Sequence, residues 1–161
     1  MNSSEILVFG AGCFWGAEDL IREIEGVIDT EVGYCGGTFK SPGYHDVCTG
    51  ETGHAEAVKV TFDAQKVSRE QLLELFFKLH NPTTKNRQGG DVGSQYRSVI
   101  FYASPQEKAL AEEAIKKAQS RWKDPIVTSL EPLKEFYPAE QDHQDYLRKN
   151  PGGYTCHYWR E

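Results

Sequence analysis

The apolar residues of this chain change their spacing in a fixed order, and that order limits what the chain can fold into. Glu5 to Phe9 is a short apolar run of the buried-strand kind, and from Ala17 the spacing turns helical through Leu20, Ile21 and Ile24 toward Gly26, with Glu18 and Asp19 suited to a first turn. Val27 to Tyr34 alternates, with Ile28, Thr30, Val32 and Tyr34 sharing one side, and His54 to Phe62 alternates again. Ser68 and Gln71 form a capping box ahead of a helical stripe of Leu72, Leu75, Phe76 and Leu79, and Ser98 to Tyr102 is a further apolar strand. Strand, helix, strand, strand, helix, strand is the split βαβ pattern of a ferredoxin-like α+β two-layer sandwich. A third helix starts at Ser104 and Pro105, with Glu107 at N3 and a stripe of Ala111, Ala114, Ile115, Ala118 and Trp122. Ile126 to Leu130 is expected as an edge strand before Pro132. Residues 132–161 are expected as an irregular tail, broken by Pro138, Pro151, Gly152 and Gly153, with a short helix over Asp142 to Leu147.

A chain of 161 residues with 39% hydrophobic content is expected to form one domain over residues 1–161, with a core that needs neither disulfide nor metal. Its 24 acidic against 18 basic residues, net −6, argue against a nucleic-acid partner, which requires clustered positive charge. No stretch approaches the roughly 20 apolar residues of a membrane span, and no basic leader precedes an apolar run, so a cytoplasmic monomer without membrane partners is expected. The cysteines at 13, 35, 48 and 156 have neither CxxC spacing nor the density of a secreted scaffold. In a reducing compartment such thiols are inert, metal ligands or redox catalysts.

Chemistry is expected first at Phe9 to Gly16, Phe-Gly-Ala-Gly-Cys-Phe-Trp-Gly, where strand gives way to helix. Gly10 and Gly12 supply the turn, and a Cys13 at the helix N-terminus would have its thiolate stabilised by unpaired N–H groups and the helix dipole. A dinucleotide site is disfavoured, because Trp15 occupies the place of the fingerprint's third glycine. A zinc site from Cys35, His45, Cys48 and His54 lacks the usual ligand spacing. A cysteine hydrolase would need a histidine partner, and nothing in the sequence selects among His45, His54, His80, His143 and His157. Glu56 shares its strand face with Val58, Val60 and Phe62, so it is either a buried carboxyl with a raised pKa or a group at a wet strand end. The loops over residues 38–53 and 81–96 are long enough to be functional.

These residues resemble a known family. Gly12 to Gly16 (GCFWG), Thr52 to Glu56 (TGHAE), Arg87 to Ser98 (RQGGDVGSQYRS) and Asn150 to Tyr154 (NPGGY) look like the signatures of peptide-methionine (S)-S-oxide reductases, the methionine sulfoxide reductase A family. The resemblance implies reduction of the S epimer of methionine sulfoxide, free or in oxidised proteins, with thioredoxin or a similar dithiol as reductant and no cofactor or metal. Cys13 matches the nucleophile that becomes a sulfenic acid. Glu56 matches the acid that protonates the sulfoxide oxygen, a task suited to a pKa of roughly 6–7. Tyr44 and Tyr96 match hydroxyls that bond that oxygen, Asp91 a residue that organises the site through water, and Phe14 and Trp15 the pocket for the methyl group. Many members place a resolving cysteine directly after the Gly-Tyr pair; here Thr155 intervenes and Cys156 follows. Cys156 is the expected resolving thiol, Cys35 the runner-up and Cys48 a buried spectator.

Overall fold

A computed structural model describes residues 4–37, 43–48, 52–88, 91–153, 157 and 159, without the side chains of residues 45 and 48. The chain forms β1 (Ser4–Ala11), α1 (Phe14–Ile21), β2 (Val27–Cys35), α2 (Tyr44–Cys48), β3 (Ala55–Asp63), α3 (Arg69–Leu79), β4 (Arg87–Gln88), β5 (Asp91–Val92), β6 (Ser98–Tyr102), α4 (Pro105–Gln119), β7 (Ser129–Pro132), β8 (Tyr137–Pro138) and α5 (Tyr146–Lys149). It is an α+β fold around a mixed six-stranded sheet in the order β7-β6-β1-β3-β2-β8, with β4 and β5 paired as a separate hairpin. Among the described strands of the large sheet, only β6 and β7 run parallel, joined across α4, and the other pairs are antiparallel. No described helix is long and apolar enough to cross a membrane.

The two faces of the sheet have different cores. Leu7, Phe9, Val32, Tyr34, Val58, Val60 and Phe62 pack with Ala17 and Ile21 of α1, Leu72 and Phe76 of α3 and Ala111 of α4. Val8, Cys35, Ala55, Ala57, Val99 and Phe101 form the opposite face, covered by Leu133 and Phe136 of the C-terminal segment. Both faces of the central strands are therefore buried, which is why β1 reads as a continuous apolar run rather than an alternation.

The expected caps are present. Ser68 and Gln71 exchange both bonds of a capping box at the start of α3, and Ser104 Oγ accepts the Glu107 N–H ahead of Pro105 in α4. Other expectations need correcting. Ile28 is exposed rather than inward, because the β2–β3 register steps from Val27↔Phe62 to Asp29↔Thr61 and the bulge turns the extra residue outward. Helix α1 begins three residues before Ala17, which moves Glu18 and Asp19 out of its first turn. The edge strand lies at Ser129–Pro132 rather than 126–130, since it takes its register from β6. The expected helix over 142–147 is split: a 3₁₀ turn covers Gln141–His143 and α5 starts at Tyr146, with Asp145 left-handed at φ 53° between them. Strand β8 and helix α2 are additions that the sequence pattern did not mark.

This topology brings distant residues to one end of the sheet. The C-terminal end of β1 lies beside the start of β3, and β2 sets Tyr34 opposite Glu56. β6 begins there too, with Ser98 opposite Ala11. A side chain at Gly10 would place its Cβ 2.8 Å from Val99 Cγ1 and 3.1 Å from the Glu56 carbonyl oxygen, so glycine allows the close approach.

Candidate active site

Gly12 turns the chain out of β1 at φ +90°, a conformation that glycine takes without strain, and Cys13 becomes the N-cap residue of α1. The Cys13 side chain is buried, and the next N–H, from Phe14, is donated to Glu56 Oε1 at 3.2 Å. That bond ties the nucleophile candidate's turn to the carboxyl candidate 42 residues away. Glu56 is only 1% exposed, which decides between the two sequence readings in favour of the buried carboxyl. Burial pushes its pKa up to about 8; the Phe14 N–H pulls against that rise, and the nearby Asp91 carboxylate adds to it. Glu56 Oε2 makes no hydrogen bond to a described residue. With Oε1 accepting an N–H, Oε2 is the oxygen placed to carry the proton when the carboxyl is neutral.

Aromatic rings form the wall beside this pair. Phe14 is buried, its ring centroid 5.7 Å from Tyr34 and 6.5 Å from Tyr44, while half-buried Trp15 stacks on Tyr146 at 3.8 Å. Trp15 Nε1 donates to His143 Nδ1 at 3.0 Å. Tyr44 opens α2, where its N–H is donated to Glu140 Oε2 at 3.1 Å and the Tyr34 hydroxyl is donated to Glu140 Oε1 at 3.0 Å. Tyr96 closes a 3₁₀ turn over Ser94–Tyr96, and Asp91 lies in β5. A chain of contacts thus runs from the Cys13 turn through the Phe14 N–H to Glu56 and the charge of Asp91, and through the Phe14 ring to Tyr44. Cys156 lies outside the described residues, as does the side chain of Cys48.

Cys35 has a different environment. It is fully buried in the core of the opposite sheet face, one residue after Tyr34, and desolvation pushes its thiol up to about 11. A strand neighbour of Tyr34 must point the other way, so the sheet separates Cys35 from the face that carries Glu56. A thiol in that setting is a poor nucleophile.

Several supporting residues go beyond those the sequence marks. Glu18 is buried and accepts from Thr30 Oγ1 and from the Asp145 N–H, each at 2.8 Å, pinning the left-handed Asp145 against α1. Its position four residues after Phe14 and three before Ile21 was the available signal, since all three fall on one helix face. Arg97 makes a two-pronged ion pair with Glu131 and donates to the carbonyls of Gly53 and Ser94, holding the turns before β3 and β6 in place. Glu140 and Gln144 bind the C-terminal segment to β2; the Gln144 amide pairs in both directions with the Val32 backbone. Their β2 partners lie more than 100 residues away in the chain, so no local pattern marks them.

Four of the five histidines that could partner a hydrolytic cysteine have other commitments, and the side chain of the fifth, His45, lies outside the described residues. His80 uses both ring nitrogens, toward Phe76 O and Ser98 Oγ. His54 accepts from the Gly37 N–H, His143 from Trp15, and His157 contacts the Ala11 carbonyl.

Comparison with known proteins gives the family. The family model for peptide methionine sulfoxide reductase matches residues 5–161. The peptide methionine sulfoxide reductase MsrA of Methanothermobacter thermautotrophicus is 54% identical over 153 residues, covering 94% of this chain and 90% of that protein. Mxr1 from Saccharomyces cerevisiae in its reduced form superposes with a TM-score of 0.94 at 37% identity, over 99% of this chain and 93% of the other. Mxr1 in complex with Trx2 superposes with a TM-score of 0.68 at 25% identity, over 99% of this chain and 91% of the other. With nearly its whole length matched, and with the Cys13 turn and Glu56 meeting at one end of the sheet, the chain belongs to the MsrA family of peptide methionine sulfoxide reductases and is an oxidoreductase.

Proposed function

We propose that the chain reduces the S epimer of methionine sulfoxide, free or within oxidised proteins, using Cys13 as nucleophile and thioredoxin or a similar dithiol as final reductant. The observation that carries this reading is the buried Glu56 carboxyl, bonded to the N–H that follows Cys13, with burial pushing its pKa up to about 8. A sulfoxide oxygen leaves sulfur only when its developing charge is quenched, and an acid with a pKa near the working pH does this well. The central strand order β6-β1-β3-β2, with α1, α3 and α4 packed on one face, also agrees with a ferredoxin-like sandwich.

In this mechanism the Cys13 thiolate attacks the sulfoxide sulfur while Glu56 gives its proton to the oxygen. The sulfur–oxygen bond breaks, the sulfoxide gains two electrons to become the thioether, and Cys13 loses two as the oxygen passes to it as a sulfenic acid. Phe14 and Trp15 enclose the methyl group, Tyr44 and Tyr96 donate hydroxyls to the oxygen, and Asp91 orders the site through water. The Cys156 thiol then condenses with the sulfenic acid, releasing water and forming a Cys13–Cys156 disulfide, which the external dithiol reduces by exchange. Cys35, behind the sheet and with its thiol held protonated, is the weaker choice for this step.

The test is methionine formation from each sulfoxide epimer with and without dithiothreitol. The proposal expects dithiol-dependent turnover of the S epimer alone. Equal turnover of both epimers, or ester or amide cleavage without a reductant, contradicts it.

A further inference from the structure

The ring of His143 is the point at which the two aromatic sides of the site meet. On one side Trp15 Nε1 donates to its Nδ1 at 3.0 Å, and on the other the Tyr44 ring stacks on it with centroids 4.4 Å apart; Phe14 lies 5.5 Å away. An indole N–H only donates, so Nδ1 must be unprotonated and the ring proton must sit on Nε2. Protonating Nδ1 would set one donor against another and release the indole. Resting on the proposed roles of Trp15 and Tyr44 at the substrate, we propose that His143, in its neutral form, is a positioning residue that holds Trp15, in the wall for the methyl group, at a fixed separation from Tyr44, which bonds the sulfoxide oxygen.

The surroundings favour that neutral form. Burial lowers the His143 pKa below its usual 6.5, opposed by the carboxylates of Glu140 and Asp142 on its own segment. From α1 it meets Phe14 and Trp15 and from α2 Tyr44, none of them charged at neutral pH. The backbone around it is fixed independently of the imidazole, by Glu140 to Tyr34 and Tyr44, Gln144 to Val32 and the Asp145 N–H to Glu18. Changing the ring should therefore alter the pocket more than the fold.

Two substitutions separate the contributions. His143→Phe keeps a stacking ring and removes the acceptor; His143→Asn keeps an acceptor near the Nδ1 position. KM and kcat for the S sulfoxide are measured from pH 5 to 8, together with the Trp15 indole N–H resonance, assigned with Trp15→Phe. The phenylalanine variant is expected to raise KM about fivefold at pH 7.5, the size of one lost hydrogen bond, with kcat changed much less. The asparagine variant is expected to recover most of that loss. In the unmodified chain KM rises, and the indole resonance moves, as pH falls through the His143 titration below 6.5, and both responses vanish in the asparagine variant. Equal KM values for the phenylalanine variant and the unmodified chain, or equal impairment of both variants, overturn the role of His143 while leaving the reaction in place. A Trp15→Leu variant with unchanged KM overturns the reading of the pocket and this inference with it.

Discussion

Replacing Glu56 with glutamine keeps the shape of the side chain and removes its titration, and it should separate the cost of this carboxyl from its use. In the unfolded chain the group titrates near 4.5, whereas in the folded chain burial raises this to about 8. Between those values the folded state holds a proton that the unfolded state has released, so stability falls as pH rises. At about 1.4 kcal/mol for each pH unit, the loss reaches about 5 kcal/mol by pH 8 and then levels off. Below pH 4.5 the effect is absent. Urea unfolding of the unmodified chain and of Glu56→Gln, compared from pH 4 to 9, should therefore give curves that diverge across that window, with the glutamine variant gaining relative stability. The same variant should lose at least about a hundredfold in kcat for the S sulfoxide, the usual span of a general acid. Parallel stability curves would mean that Glu56 titrates normally, and retained turnover would mean that the proton comes from elsewhere.

Other substitutions test separate links. Cys13→Ser is expected to abolish methionine formation without lowering thermal stability by more than a few degrees. Cys156→Ser should still release about one methionine per enzyme but fail to recycle with thioredoxin, whereas Cys35→Ala should recycle normally; steady-state assays with thioredoxin check both. Gly12→Ala should destabilise the fold by about 2 kcal/mol or more in urea titrations, because φ is +90° there and the new Cβ would meet Gln88 Cβ at 2.6 Å.

The elements that carry a local signal are the ones that could be read from the sequence. Ser68 with Gln71, and Ser104 with Pro105 and Glu107, fix helix starts through bonds within four residues, and those starts stand as expected. The alternation through Val58, Val60 and Phe62 identifies the buried face that carries Glu56, although whether burial extends to Glu56 itself depends on what distant parts of the chain pack beside the strand end, the Phe14 N–H at Oε1 among them. The Ile28 bulge escaped because one added residue in a strand leaves the composition of its neighbours unchanged. The C-terminal segment reads as an irregular tail for a related reason. Glu140, His143, Gln144 and Asp145 are placed by partners in α1, α2 and β2, and a chain without periodicity gives no warning that it will become one wall of a site.

The central claim, a sulfenic acid formed on Cys13 by transfer of the substrate oxygen, is tested most directly by trapping it. The Cys156→Ser variant is treated with one equivalent of the S sulfoxide in the presence of dimedone, and its peptides are mapped by mass spectrometry. One dimedone adduct on Cys13, matched by one methionine released and absent with the R epimer, is the expected result. Methionine release with no adduct on Cys13, or with the adduct on Cys35, would contradict it.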